Sequence, residues 1–200
     1  MAVGRLLVLG AVRPAVPEPP DPGAAFTAAL DEVAASLRSL AEAARQADRQ
    51  EAAEVLDAQA LMADDPLLRD AVTGRLDAGR TLDRALDEAA DESATMLATV
   101  DDPYIAARAD DVREVADRVR RHLAGVAEPD LSAVTEPTIL VATTITAAET
   151  SQLDPAVVLG FATETGGPTS HVAIIARSLG VPAVVGVSGL TAAAADRVDA

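Results

Sequence analysis

Gly166-Gly167-Pro168-Thr169-Ser170-His171-Val172-Ala173-Ile174-Ile175-Ala176-Arg177 reads as a tight loop running into a helix. The two glycines permit backbone angles that other residues avoid. Thr169 or Ser170 is placed to cap the free N–H groups of the first turn. His171 stands at the helix start, beside exposed amides and the positive end of the helix dipole. An imidazole there is biased toward its neutral form, with one ring nitrogen free as a nucleophile. A phosphoryl group on that nitrogen meets N–H donors and hydroxyls, a geometry suited to carrying phosphate on histidine. Taken alone, a glycine pair, a cap and a histidine also describe an ordinary loop-to-helix joint.

Outward from this stretch the pattern is strand–helix alternation, which means an α/β layer. Upstream, Val157 to Ala162 is an apolar strand and Thr146-x-x-Glu149 is a capping box opening a short helix. Thr138 to Ala142 is β-branched and apolar, a buried strand. Downstream, Val181 to Val187 reads as a further strand. Near the N-terminus, Leu6 to Leu9 is a strand assigned to the same layer. Pro14, Pro17, Pro19, Pro20 and Pro22 then predict an extended linker.

Between these parts lies a helical block. Phe26, Leu30, Val33, Leu37, Leu40, Ala44 and Ala47 make one apolar stripe, with Asp31, Glu32, Arg38, Glu42 and Arg45 on the opposite face. A second helix is predicted over 51–63, and Asp64-Asp65-Pro66 starts the next. Gly74 and Gly79 bound a short break, and Thr81 caps a helix with the stripe Leu82, Leu86, Ala89, Ser93, Met96 and Val100. Asp101-Asp102-Pro103 repeats the start device. The helix after it carries Ile105, Val112, Val115, Val119 and Leu123 and closes at Gly125. The expected organisation is an α/β domain from 1–23 and 126–200, with an all-helical insertion at 24–125.

Composition bounds the function. The chain has 200 residues, a formal net charge of −16, 2% aromatics and no cysteine. Acidic surface argues against nucleic acid, whose affinity for proteins rests on basic groups. It suits a basic protein partner. Without cysteine there is no disulfide, thiolate metal site or thiol nucleophile. No apolar run reaches membrane-spanning length and no signal-peptide pattern opens the chain, so a cytoplasmic protein without membrane insertion is expected.

The string from Gly166 to Arg177, continued by Leu179-Gly180-Val181-Pro182-Ala183-Val184-Val185-Gly186, resembles the phosphohistidine signature of the phosphoenolpyruvate-utilising enzymes. The helical block, with Leu61-Met62-Ala63-Asp64-Asp65-Pro66-Leu67 and Asp110-Asp111-Val112-Arg113-Glu114-Val115, resembles the N-terminal half of enzyme I of the bacterial phosphoenolpyruvate:sugar phosphotransferase system. The resemblance covers Phe26 to Asp199. It implies a swivelling phosphohistidine domain with an inserted helical subdomain that docks the phosphocarrier protein HPr. It implies a phosphotransferase in which His171 takes phosphate on Nε2, within a catalytic set that includes Gly167, Thr169 and Ser170. It matches Thr150 to a threonine that hydrogen-bonds the other ring nitrogen. It places Gln59, Met62, Asp64, Asp65 and Arg108 where the docking helices meet HPr. Arg108 also sits in line with Ile105 and Val112, where a buried ion pair competes as an explanation. Asp64 and Asp65 serve equally as helix caps.

Other readings stand beside these. His122 lies in the last turn of its helix, where the dipole suits a partly charged imidazole, and reads as structural. Arg177 follows His171 by nearly two turns, a position for phosphate, a second domain or a surface ion pair. The family's Ser-Pro-Gly opening is not seen in Met1 to Arg5, and a phosphoenolpyruvate-binding barrel holding Mg²⁺ would follow Ala200. The expectation is therefore no cofactor in this chain, with Mg²⁺ belonging to the barrel. Rival functions are the mobile domain of a pyruvate-phosphate dikinase or phosphoenolpyruvate synthase, and a truncated HPr-binding regulator.

Overall fold

The computed structural model describes residues 4–9, 13–167 and 171–198, with backbone alone for 103, 104, 107, 171, 178 and 195–198. They fall into two compact units. One takes Arg13–Glu42 and Glu54–Glu128; the other takes the first strand, Ala43–Ala53 and the chain from Pro129 on.

The second unit is built on a parallel sheet of β1 (Arg5–Leu9), β2 (Thr138–Ala142), β3 (Val158–Thr163) and β4 (Ala183–Val184), in that order. The alternating helices supply the crossovers that parallel neighbours require. Helix α6 (Ala147–Ser151) joins β2 to β3, α7 (His171–Ser178) joins β3 to β4, and α8 (Leu190–Val198) follows. As the sequence implies, β1 returns to this layer: it pairs with β2 from Arg5↔Thr138 to Leu9↔Ala142. The core gathers Leu140, Ile145, Leu153, Val158, Phe161, Val172, Ala176 and Val181. A register shift at Thr138/Ile139 sets Leu159 beside Gly4, where an added Cβ would lie 2.6 Å from both Leu159 Cδ1 and the Pro137 carbonyl. The strand read over 181–187 shrinks to two residues. Pro182 has no N–H for a ladder, and Gly186 turns the chain at φ 78°.

The tip of the α1–α2 hairpin, Ala43–Ala53, clusters with the sheet unit although a boundary at residue 24 puts it in the insertion. Within that unit the Arg49 guanidinium donates to the Ser151 carbonyl at the end of α6.

The first unit is helical. Its elements are α1 (Pro22–Gln46), α2 (Gln50–Asp64), α3 (Pro66–Asp77), α4 (Leu82–Ala98) and α5 (Pro103–Leu123). Helix α1 buries Phe26, Leu30, Val33 and Leu37 as its stripe predicts, but the stripe stops at Ala44; Ala47 is exposed beyond the helix. The linker ends one residue early. Pro22 is the first residue of α1, where its missing N–H costs nothing, and Asp21 Oδ1 accepts the Ala24 N–H at 2.9 Å. Gly74 lies inside α3 rather than at a break.

Two further expectations for α4 change. Thr81 occupies the N-cap position, yet its side chain makes no capping bond. The Leu82 N–H is taken instead by Glu18 from the proline-rich linker, at 3.1 Å to Oε2. The buried seam of α4 runs Leu82, Ala85, Leu86, Ala89, Ala90 and Ala94, so Met96 and Val100 are exposed. Alanine gives the seam close helix–helix approach, which a reading weighted to large side chains passes over. Helix α5 buries Val115 and Val119 as read, leaves Ile105 exposed, and adds two charges, Asp111 and Arg120. Arg120 pairs with Asp83 and Asp87 of α4, and Asp87 also holds Arg13 of the linker. His122 faces Glu32 of α1 at 3.4 Å. Gly125 closes α5 at φ 66°.

Candidate functional site

Open parallel sheets place their chemistry beyond the carboxyl ends of the strands. There, the loop after β3 leads to the helix that begins at His171. Pro168, Thr169, Ser170 and the His171 side chain lie outside the described residues. The loop before them is tightly held. Glu164 N–H donates to Ala142 O at 3.1 Å, and Thr165 donates its N–H and its hydroxyl to Thr143 O, each at 2.9 Å. Thr163, fully buried, donates its hydroxyl to Thr165 O at 2.7 Å. Of the glycine pair, Gly166 takes the left-handed conformation at φ 98°. A Cβ on Gly167 would meet nothing within 4 Å.

Helix α7 buries Val172, Ala173, Ile175 and Ala176 and leaves Ile174 and Arg177 exposed. Arg177 follows His171 by six residues, so it lies roughly 120° around the helix from it. Helical spacing therefore does not stack the two positions one above the other.

Helix α6 packs against α7 and carries Thr150, 1% exposed. Its capping box is complete: Thr146 Oγ1 accepts the Glu149 N–H at 3.1 Å, and Glu149 Oε2 accepts the Thr146 N–H at 2.8 Å. The Thr150 hydroxyl donates to the carbonyls of Ala147 (2.9 Å) and Thr146 (3.0 Å). Its one proton is thereby used, and its oxygen lone pairs remain for an incoming donor.

The five candidate docking residues lie in the helical unit. Gln59 is 3% exposed and donates to Asp111 Oδ1 at 3.1 Å and to Glu114 Oε2 at 2.8 Å. Asp111 also accepts from Arg108 Nη1 at 3.0 Å. The structure thus joins Gln59 and Arg108 through a buried carboxylate. Asp64 pairs with Arg38 of α1. Asp65 caps α3, accepting the Leu67 N–H at 2.8 Å. Met62 is half-buried. Between them stand Leu61 and Leu67, 69% and 76% exposed. The sequence reading missed both leucines as surface groups, and also Glu114. The signal was available in part: Leu61 falls off the α2 line of Leu56, Ala60 and Ala63 that is buried.

Glu164 was missed altogether. Its carboxylate accepts the Thr191 N–H (2.8 Å) and hydroxyl (2.6 Å) and the Thr143 hydroxyl (3.3 Å). The bonds from Thr191, then that from Thr143, hold its carboxyl below the ordinary glutamate value. No sequence spacing links residues 143, 164 and 191. Among the described residues no group of three His, Asp or Glu is arranged to hold a metal ion, and no helix is long and apolar enough to cross a membrane.

Comparison with known proteins agrees with this architecture. The family pattern described as "PEP-utilising enzyme, N-terminal" matches residues 1–108, and that described as "PEP-utilising enzyme, mobile domain" matches residues 134–199. A phosphoenolpyruvate-protein phosphotransferase of Streptomyces coelicolor is 45% identical over 139 residues, 70% of this chain and 25% of the relative. One of Listeria innocua is 36% identical over 171 residues, 85% of this chain and 30% of the relative. The chain therefore spans between a quarter and a third of the length of these relatives. The NMR solution structure of an enzyme I protein superposes with a TM-score of 0.74 at 31% identity, covering 96% of this chain and 81% of that one. The two family patterns in chain order, the parallel sheet with its helical insertion, and this likeness place the chain in one group: it belongs to the enzyme I family of phosphoenolpyruvate-utilising enzymes, and carries that family's N-terminal and mobile domains.

Proposed function

We propose that this chain carries a phosphoryl group on Nε2 of His171, taking it from phosphoenolpyruvate bound by a barrel domain and passing it to HPr. The observation that carries the reading is the state of Thr150. A buried hydroxyl whose proton is spent on backbone carbonyls can only accept from an imidazole. An imidazole set against it is held with Nδ1 protonated, which leaves Nε2 bare as the nucleophile. The glycine-bearing loop ends in a helix start, where N–H donors favour a phosphate dianion. Thr169 and Ser170 supply hydroxyls, and Gly167 leaves the approach clear of a side chain. Phosphoryl transfer asks for little more than positioning and charge stabilisation. Mg²⁺ belongs, in this reading, to the barrel.

The partner face is assigned to the α2–α3 junction. Leu61 and Leu67 offer apolar contact together with the half-buried Met62, and Asp64 and Asp65 supply charge for a basic partner. Gln59 and Arg108 act through the Asp111 network, holding α2 against α5. The net charge of −16 is why we assign a basic protein and no nucleic acid.

The test is incubation with phospho-HPr. The protein should acquire acid-labile phosphate, and His171→Ala should acquire none while keeping its circular dichroism. Labelling of His171→Ala would move the site to His122 and end the assignment.

A further inference from the structure

We propose that Glu164 is a positioning residue for the phosphoryl-carrying helix, a carboxylate clamp joining three loops at the carboxyl edge of the sheet. The proposal rests on the function assigned above to His171. Thr143 follows β2, Glu164 follows β3, and Thr191 opens α8 after β4. The Glu164 side chain bonds both of the others. Both oxygens are engaged: Oε1 takes the N–H and hydroxyl of Thr191, and Oε2 takes the hydroxyl of Thr143.

These bonds lie outside the hydrophobic core, and the sheet does not need them to pair. What they fix is the path of the chain from β3 to Gly167. The backbone around Glu164 is bound on the β2 side by the amides of 164 and 165. On the β4 side, Val187 N–H donates to Thr163 O at 3.0 Å, and an added Cβ on Gly186 would lie 3.3 Å from Gly166 O. Glu164 is the side chain that closes this ring, through α8. Its charge is matched by the exposed amide end of α8, where a carboxylate is favoured. The carboxylate is held ionised by those donors, so the clamp is complete at neutral pH. Loosening it leaves Gly166 and Gly167 free to wander, and the helix start after them loses its fixed aim. A misplacement of about 1 Å costs roughly 100-fold in a reaction that depends on alignment.

The clamp is tested on the full chain with phospho-HPr in single turnover, alongside the HPr dissociation constant and ¹⁵N imidazole NMR. The chain holds two histidines, so the two rings are resolved and His122 serves as internal reference. Glu164→Ala, which removes all three bonds, should slow transfer roughly 10-fold to 100-fold. Glu164→Gln, which keeps acceptor oxygen but no charge, should fall between it and the parent. HPr affinity should stay within about twofold, because docking is assigned to other helices. The His171 ring signals should shift while those of His122 do not. Should Glu164→Ala fail to fold, Thr191→Val decides: it removes one clamp bond and keeps the carboxylate, and should slow transfer in the same sense. Parent-like transfer and an unmoved His171 signal in these variants would overturn the clamp. Labelling of His171→Ala would overturn the phosphohistidine assignment beneath it, so the two failures are told apart.

Discussion

At the scale of single residues, Thr150 and Glu164 make separable predictions. Thr150→Val keeps the shape and removes the acceptor, so the His171 ring should lose its tautomer preference and transfer from phospho-HPr should fall roughly tenfold or more. Thr150→Ser should restore most of it, and a valine variant that transfers at the parent rate would remove Thr150 from the site. Glu164 also predicts a pH dependence. Its carboxyl is lowered in the folded state, so its stabilisation is present above the ordinary glutamate pKa and is lost as pH falls through the folded value. The difference in melting temperature between parent and Glu164→Gln should therefore be full at pH 7 and shrink as pH falls below the ordinary glutamate pKa. A difference that persists unchanged into acid would show that the bonds do not depend on the charge. The motif around His171 was legible as a family signature because its residues are contiguous. Glu164 was not, because its three bonds join residues 143, 164 and 191 across two crossovers. The burial of Gln59 was not legible: only the fold shows that it turns inward to Asp111.

Elements followed their periodicity where large side chains mark the buried face, as in α1, and departed from it where alanine does, as in α4. The ends of elements were less legible, since the partner that caps an end is often remote. Thr81 has the sequence of a cap and Glu18 does the capping. Glu18→Ala should thus cost about 1 kcal/mol of stability while Thr81→Ala costs much less, measured by urea denaturation; the reverse order would restore Thr81 as the cap. Gly74 sits inside α3 with open space where a Cβ would go. Gly74→Ala should stabilise by about 0.5–1 kcal/mol, and a loss of stability would mean that α3 needs the glycine. The shortness of β4 has the same lesson in reverse: Val181 to Val187 has strand composition, but one proline and one left-handed glycine leave two paired residues.

For the whole molecule the governing quantity is charge. A chain at −16 should meet a basic partner by steering, so HPr association should slow as salt rises, over a screening length of about 10 Å at 0.1 M. Charge reversal at Asp64 and Asp65 should lower the association rate more than it raises the dissociation rate. Stopped-flow rates independent of salt would remove the acidic face from docking. The division into units carries a consequence of a different kind, for anyone who would transplant the helical unit. The path passes from one unit to the other at 12/13, 42/43, 53/54 and 128/129, four times rather than the two of a simple insertion. Two of those junctions fall inside helices, one about a turn before the end of α1 and one about a turn after the start of α2. A graft cut at the obvious loops would carry away residues 43–53, and with them Arg49, leaving the host's Ser151 carbonyl without its donor. A working chimera has to be spliced inside two helices, with the rotational phase of each kept across the seam.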